Sequence, residues 1–316
     1  MEKIIDHVPV EEIKKELTEE RFLRKTNNGN NEVYQFTSHE SPFLMREVGR
    51  LRELTFRNAG GGTGREIDLD GYDFSETAPH QQLIVWDPDN MEIIGGYRFF
   101  IHDERVKPTD PSDMASASFF NFSQKFRKEF LPYLMELGRS FVQPGYQSRA
   151  MGRKSLFALD NLWDGLGAIA IENPAVKYLF GKVTMYKHFN VKARNLILYF
   201  MKKHFSDPDK LVVPKNDISI NIDMDKMKKI FVADNYKDDY KILSQEVRKT
   251  GENIPPLINA YMNLSPTMRT FGTVFNEPFG KVEETGIMIT IRDMYIEKIN
   301  RHLASYREDY EIGVGY

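Results

Sequence analysis

The segment EETGIMITI, residues 283–291, constrains the fold more than any other part of the chain. After Gly286, Ile287, Ile289 and Ile291 alternate with Met288 and Thr290, so both faces are apolar. Such a strand belongs inside a sheet rather than at its edge. The preceding strand-like segment, YLFGKVTMY, lies far upstream. The chain between them must leave the sheet and return to it. Everything after Asn190 is therefore expected in the same domain, and one domain is predicted over residues 1–316.

Upstream, the pattern is that of an α/β chain. Val8 to Leu23 reads as a charged amphipathic helix and EVYQF as a short strand. A helix is predicted from about Phe43 to Phe56, ended by AGGGTG, which no helix survives. QQLIVWD and EIIGGYRFFI read as a hairpin turning at Pro88, Asp89 and Asn90. Residues 107–130 are loop-like, then amphipathic and rich in aromatics. LMELGRSFV is another strand, and after Pro144 and Gly145 a long helix runs from Lys154 to Ile171. Strands alternating with helices argue an α/β class. The expected layout is a mixed central sheet flanked by helices. Its core covers about 43–190 with a closing strand at 283–291, a helical insertion at 191–250 and a C-terminal helix at 292–306.

Several function classes fall away on composition. Lys+Arg is 43 against 46 for Asp+Glu, a net charge of −3, which argues against a general nucleic-acid binder. Cysteine is absent, which removes thiolate metal sites and a Cys nucleophile. The charged N-terminus does not read as a signal peptide, and none is expected. LGAIAI and NLILYFM fall far short of the ~18 residues of a membrane span. The expectation is a cytoplasmic protein, with peripheral contact at the inner membrane left open. No histidine has a metal-ligating partner at useful spacing, so no metal is expected. Ser140 sits in GRSFV, not in a nucleophile elbow. DLDGYD is not an EF-hand loop, because Tyr72 and Asp73 stand where a ligand and the glycine should be. His204 and Asp209 match an HxxxxD pattern that two common residues produce by chance.

The sharpest chemical signal is LMELGRSFVQPGYQSRAMGRKSLFALDNLW. A strand ends, the chain turns, and small and basic residues open a helix, whose free N–H groups suit a phosphate. Gln147, Ala150 and Gly152 have the spacing QxxAxG. An ordinary strand–turn–helix crossover would look similar. With Ala150 replacing the first glycine, the segment resembles the acyl-donor motif Q/RxxGxG/A of the GNAT superfamily. ELGRSFV is similar to the ELGRS strand of the ornithine-lipid and glycine-lipid N-acyltransferases, often called hemolysin-like. It also resembles the ELSRF strand of the acyl-homoserine-lactone synthases. Asp68, Asp70, Tyr72 and Asp73 resemble the acidic segment of those synthases. GGYRFF matches a GxxRL strand, and PPLINAYMNLSPTMRTFG resembles a late segment of the lipid-forming branch that the lactone synthases lack. The resemblance runs in order from about Phe43 to Ile291.

The resemblance implies a GNAT-like fold and N-acylation of a small amino acid, glycine or ornithine. The donor would be a 3-hydroxyacyl thioester on phosphopantetheine, carried by acyl carrier protein or coenzyme A, with no resident cofactor. Amide formation needs a neutral amine, so a base helps. Glu136 is the candidate, with Arg139 and Arg98 beside it. A structural ion pair of Glu136 with either arginine is the plainer reading. A backbone N–H near Phe141 or Val142 would polarise the thioester, and Gln147, Ala150, Gly152 and Arg153 would hold the donor. Asp70 and Asp73 would bind the acceptor ammonium or anchor their loop on Arg98 or Arg139. Arg149 and Lys154, with Lys125, Arg127 and Lys128, form a basic patch suited to the acidic carrier protein. A solvated charged face is the ordinary fate of such runs. Glycine is favoured over ornithine because no further acidic residue is evident for a second ammonium. Two rivals remain: a lactone-synthase-like enzyme, and a non-catalytic lipid-binding protein on the same scaffold.

Overall fold

The computed structural model describes residues 1–147, 153–218 and 222–306. In chain order the strands are β1 (Phe22–Lys25), β2 (Glu32–Phe36), β3 (Gln81–Asp87), β4 (Glu92–Ile101) and β5 (Phe120–Phe122). They continue with β6 (Leu134–Val142), β7 (Tyr178–Met185), β8 (Val212–Pro214), β9 (Arg269–Asn276) and β10 (Val282–Thr290). Eight of them form one sheet in the order β1-β2-β3-β4-β6-β7-β10-β9, while β5 and β8 make a separate ribbon. Every neighbour in the large sheet is antiparallel except β6 and β7. The architecture is the mixed, helix-flanked sheet expected of a GNAT-like α/β protein.

β10 lies between β7 and β9, where its apolar faces are covered. The helices divide between the two faces. On one face, α4 (Arg153–Glu172) packs Leu162, Leu166 and Ile169 against Leu83, Val85, Tyr97 and Leu137, and α5 (Val191–His204) and α7 (Tyr236–Arg248) extend this core. On the other, α2 (Pro42–Asn58) buries Leu44, Val48 and Leu51 against Ile84, Trp86 and Phe141. Each fully buried side chain of this size contributes roughly 1.5–3 kcal/mol. Beyond α2 on that face, α3 (Gln124–Glu129) and the β5–β8 ribbon enclose a third cluster of Phe120, Phe122, Phe126, Phe180 and Phe271.

Three local expectations need correction. The helix expected over Val8–Leu23 is only α1 (Val10–Glu16); the chain then enters β1, whose Phe22 meets Tyr34 of β2 edge-on at 5.7 Å. Sheet pairing overrides the helical pattern there. The insertion at 191–250 is not wholly helical: between α5 and α6 (Met224–Ile230), β8 pairs with β5. After α7 and α8 (Pro256–Met262), β9 forms the sheet edge. The C-terminal helix starts at Ile296, not 292, as α9 (Ile296–Ile299), and widens into a π-turn over Asn300–Ala304. The turn lies against α4 at Gly167, where any Cβ would come within 2.2 Å of the His302 carbonyl oxygen. His302 Nδ1 sits 2.9 Å from Asp164, fixing the turn to α4.

Candidate active site

The site begins with an irregularity in β6. Gly96 faces Phe141 and Arg98 faces Gly138, so two steps along β4 match three along β6. The extra residue makes a bulge, and Arg139 takes φ +48° to close it. Gly95 lets the strands approach, since a Cβ there would stand 2.4 Å from the Phe141 carbonyl oxygen. β6 pairs with β7 only from Leu134 to Leu137; beyond that, β7 runs on beside β10. The splay opens a cavity of about 490 Å³, lined by β6 from Glu136 to Val142, by Lys182 and Thr184 of β7, and by Tyr186 just after it.

Backbone groups at the splay are directional. Gln143 donates its backbone N–H to Ile94 on the β4 side at 2.9 Å. Alternation turns the N–H and C=O of Val142 the other way, into the opening. The Gln147 side-chain amide donates to that carbonyl at 2.5 Å, and in a strand the N–H of a residue points to the same side as its C=O. Of the two residues considered for this role, Phe141 therefore faces β4 and Val142 the cavity. Arg149, Ala150 and Gly152 lie outside the described residues. The backbone of Arg153 and Lys154 forms the start of α4.

Glu136 is 5% exposed and lines the cavity. Its two carboxylate oxygens accept the backbone N–H groups of Ala115 at 2.8 Å and Ser116 at 2.9 Å. It is paired with neither arginine. Arg98 instead binds Asp70 at 2.6 Å and Asp73 at 3.3 Å, and Arg139 binds Asp68 at 2.8 Å and Asp70 at 3.4 Å. Arg52, a residue of α2 without exposed surface, completes the network with Asp73 at 3.3 Å and with Gln82. Burial alone would raise the Asp70 carboxyl, but Arg98 and Arg139 outweigh it and hold it well below the usual carboxylate range. Asp73 is lowered likewise, by Arg52 and Arg98 against its burial. The acidic loop is thus tied down onto the sheet, and Asp73 is sealed from any ligand.

The remaining walls were not singled out in the sequence. His80 stacks on Phe100 with centroids 4.8 Å apart, and its Nε2 lies 2.8 Å from the Asp113 carbonyl. Burial, then Arg98, pushes its pKa down, so the ring is neutral near pH 7. On the α4 face, the buried phenols of Tyr97 and Tyr261 meet, with Ser140 beside Tyr97, and burial pushes both up. Leu159 and, from α8, Leu257 and Ile258 make an apolar wall. Lys182 and Glu284 pair at 2.6 Å on the opposite wall. Glu284 is a further acidic residue at the cavity, contrary to expectation, but Lys182 neutralises it. The signal available in sequence was a lone lysine in FGKVT and a pair of glutamates, Glu283 and Glu284, heading the run TGIMI. Lys125, Arg127 and Lys128 stand on α3 beside the β5–β8 ribbon, away from the cavity wall; Lys125 pairs with Asp209 at 3.2 Å and Arg127 donates to the Phe122 carbonyl. Among the described residues, no cluster of His, Asp or Glu could hold a metal ion, and no helix is long and apolar enough to cross a membrane.

A bulged strand splaying from its parallel neighbour, with a cavity reaching both faces, defines a GNAT-type acyltransferase. Residues 51–155 match the family described as Acetyltransferase (GNAT) domain. Two relatives are named Glycine N(alpha)-acyltransferase. The one from Phocaeicola vulgatus is 52% identical over 311 residues, 97% of this chain and 94% of its own length. The one from Bacteroides thetaiotaomicron is 51% identical over 311 residues, 98% of this chain and 92% of its own. No solved structure matches significantly. The chain belongs to the GNAT N-acyltransferase family that these two relatives represent, and it is an acyltransferase.

Proposed function

We propose that the protein N-acylates glycine with a long-chain, 3-hydroxylated acyl group delivered as a thioester on acyl carrier protein, making the one-chain precursor of an aminolipid. The observation that carries this reading is the splay. It sets a carboxylate, Glu136, on one face of the sheet and an apolar wall from α4 and α8 on the other, with Val142 of β6 lining the cavity as well. The name of the two relatives, Glycine N(alpha)-acyltransferase, supports glycine as acceptor.

Glycine enters with a charged amine, whose pKa lies well above 7. Glu136 removes one proton, directly or through water, and the amine nitrogen attacks the thioester carbonyl carbon. The Val142 N–H stabilises the oxyanion, a contribution of roughly 3–4 kcal/mol for one well-placed donor. The C–N bond forms, the C–S bond breaks, and the second amine proton goes to the thiolate, a leaving group of pKa about 8.5. One proton is released per amide formed. Leu159, Leu257 and Ile258 would receive the acyl chain, and Arg149, Arg153 and Lys154 the phosphopantetheine arm and its carrier. Lys125, Arg127 and Lys128 would extend that docking face. A soluble cytoplasmic carrier as donor fits a cytoplasmic enzyme.

Incubating the protein with 3-hydroxypalmitoyl carrier protein and each amino acid, with products followed by mass spectrometry, tests this. N-acylglycine is expected. Acylornithine as the main product would reassign the acceptor, and no amide from any amino acid would refute the reading.

A further inference from the structure

The cavity wall holds one charged pair that the acyl-transfer chemistry leaves unused. Lys182 of β7 and Glu284 of β10 meet at 2.6 Å and are only 16% and 6% exposed. Both line the cavity. The ladder explains their meeting: Glu284 lies opposite Thr184, and Gly286 lies opposite Lys182 with no side chain in the way. Residues two apart share a face, so Lys182 and Thr184 stand on the face of Phe180, which is paired with Glu136. The pair and Glu136 therefore face the same chamber. One stretch of chain frames both. Ala115 and Ser116 hold the Glu136 carboxylate, and the Phe119 ring lies 4.0 Å from the Lys182 ammonium. Stability alone does not explain such a pair, because a well-packed apolar pair in its place is often as stable or more so.

We propose that Lys182 and Glu284 recognise the zwitterionic head of a free amino acid, and so set the acceptor specificity of the reaction proposed above, on which this inference rests. The acceptor carboxylate docks on Lys182, whose ammonium has three donors and, although 2.6 Å from Glu284, makes no well-aligned hydrogen bond to its Oε2. The acceptor ammonium faces the carboxylates of Glu284 and Glu136. A zwitterion is a dipole, and a neutral ion pair is its complement, so docking brings no net charge into the cavity. An amine without a carboxylate leaves Lys182 unmatched. The pair binds and orients; the proton transfer stays with Glu136.

The test compares glycine with glycinamide, which keeps the amine and lacks the carboxylate. Discarding a substrate group that the site is built to bind typically lowers kcat/KM by about 10²-fold or more, and that preference for glycine is expected of the wild type. Lys182→Met combined with Glu284→Gln leaves no orphaned buried charge. It should bring the preference to within about 3-fold, by loss on glycine through KM, while the KM for the acyl donor holds. Lys182→Arg keeps the ion pair, and with it the fold, but displaces the cation. It should lower kcat/KM for glycine about 10-fold and for glycinamide less than about 3-fold. Equal losses on both acceptors in the arginine variant, or an unchanged preference in the double variant, overturn the proposal while leaving N-acylation intact. A wild type that acylates no amino acid overturns both.

Discussion

Arg98 of β4 reaches Asp70 at 2.6 Å, joining the central sheet to a loop that precedes β3. The same guanidinium also holds Asp73 at 3.3 Å, so one buried cation fixes two points of the loop. Tyr72, between them, lies under Arg98 with its ring centroid 5.6 Å away. The loop leads into His80, which lines the chamber in which Glu136 stands, and its placement depends on charge.

That dependence has a sign. The folded-state pKa of Asp70 is depressed, so its contribution is present above the unfolded value of about 3.9 and is lost as pH falls below it. Asp70→Asn should destabilise the protein by about 1–3 kcal/mol at pH 7, less than a fully buried pair because Asp70 is partly exposed and Arg98 keeps Asp73. Urea melts of both proteins at pH 7 and near pH 3 check this. The gap should narrow in acid, and a gap independent of pH would mean that the carboxylate charge is not what anchors the loop.

Glu136→Gln should lower turnover by about 10²–10⁴-fold if Glu136 is the base. The structure adds a second effect. Both carboxylate oxygens accept backbone N–H groups, and an amide can offer an oxygen to only one of Ala115 and Ser116. The unmatched N–H should cost about 1–3 kcal/mol. Thermal melting and single-turnover rates separate the two. Near-wild-type turnover with a lowered melting temperature would leave Glu136 a purely structural acceptor.

How far the fold could be read in advance depended on where each element's stability comes from. Gln81–Asp87, Glu92–Ile101 and Leu134–Val142 are apolar runs bounded by turns, and the strands form at those bounds. β1 is four residues with two charges, held by β2 rather than by any pattern of its own. β9 is an edge strand with Gly272 at φ +89° and Phe275 exposed, so its alternation is broken. In the site, the order of short motifs pointed to Glu136, Arg98 and Asp70. It could not reveal Arg52, which looks like one more polar residue on α2 until Asp73 folds over it. Nor could it join Lys182 to Glu284, which only the β7–β10 register brings together.

Gly95→Ala probes the bulge. The new methyl would lie 2.4 Å from the Phe141 carbonyl oxygen and 3.1 Å from the Val142 Cα, both backbone atoms. Backbone must move, and the Val142 N–H moves with it. A displacement of about 1 Å at a catalytic group can lower the rate about 10²-fold. The loss should appear in kcat for a short acyl-pantetheine thioester as much as for the carrier-bound donor. An active Gly95→Ala enzyme would argue that the Val142 N–H has no part in the reaction.

Charge reversal at Arg149, Arg153 and Lys154 should raise KM for acyl carrier protein by about 10-fold or more at low salt, and far less for the pantetheine thioester, which has no acidic helix to steer. The same reversal at Lys125, Arg127 and Lys128 asks whether the docking face extends to α3. Equal effects on both donors from the first set would place those residues on the pantetheine arm and carrier recognition elsewhere.

Truncation near Asn190 tests the role of the second half. β10 is hydrogen-bonded along its length to β7, with Glu283 opposite Met185 and Thr290 opposite Tyr178. Removing it would turn β7 into an edge strand and expose Leu179, Val183 and Met185, which are buried in the main core. The cut would also remove α5 and α7 from the α4 side, taking away Leu196, Phe200 and Leu243 of that core. Each lost contact of this size costs about 2–5 kcal/mol, against a typical total of about 5–15 kcal/mol for a whole protein. The fragment 1–190 should therefore be insoluble, or compact without fixed packing, with far-ultraviolet circular dichroism retained and near-ultraviolet signal lost. The cavity should fail with it, because Glu284, Ile258 and Tyr261 all come from the removed part. If 1–190 instead melts cooperatively and the remainder folds alone, the two halves are separate domains. The acyl site would then have to be complete within the first.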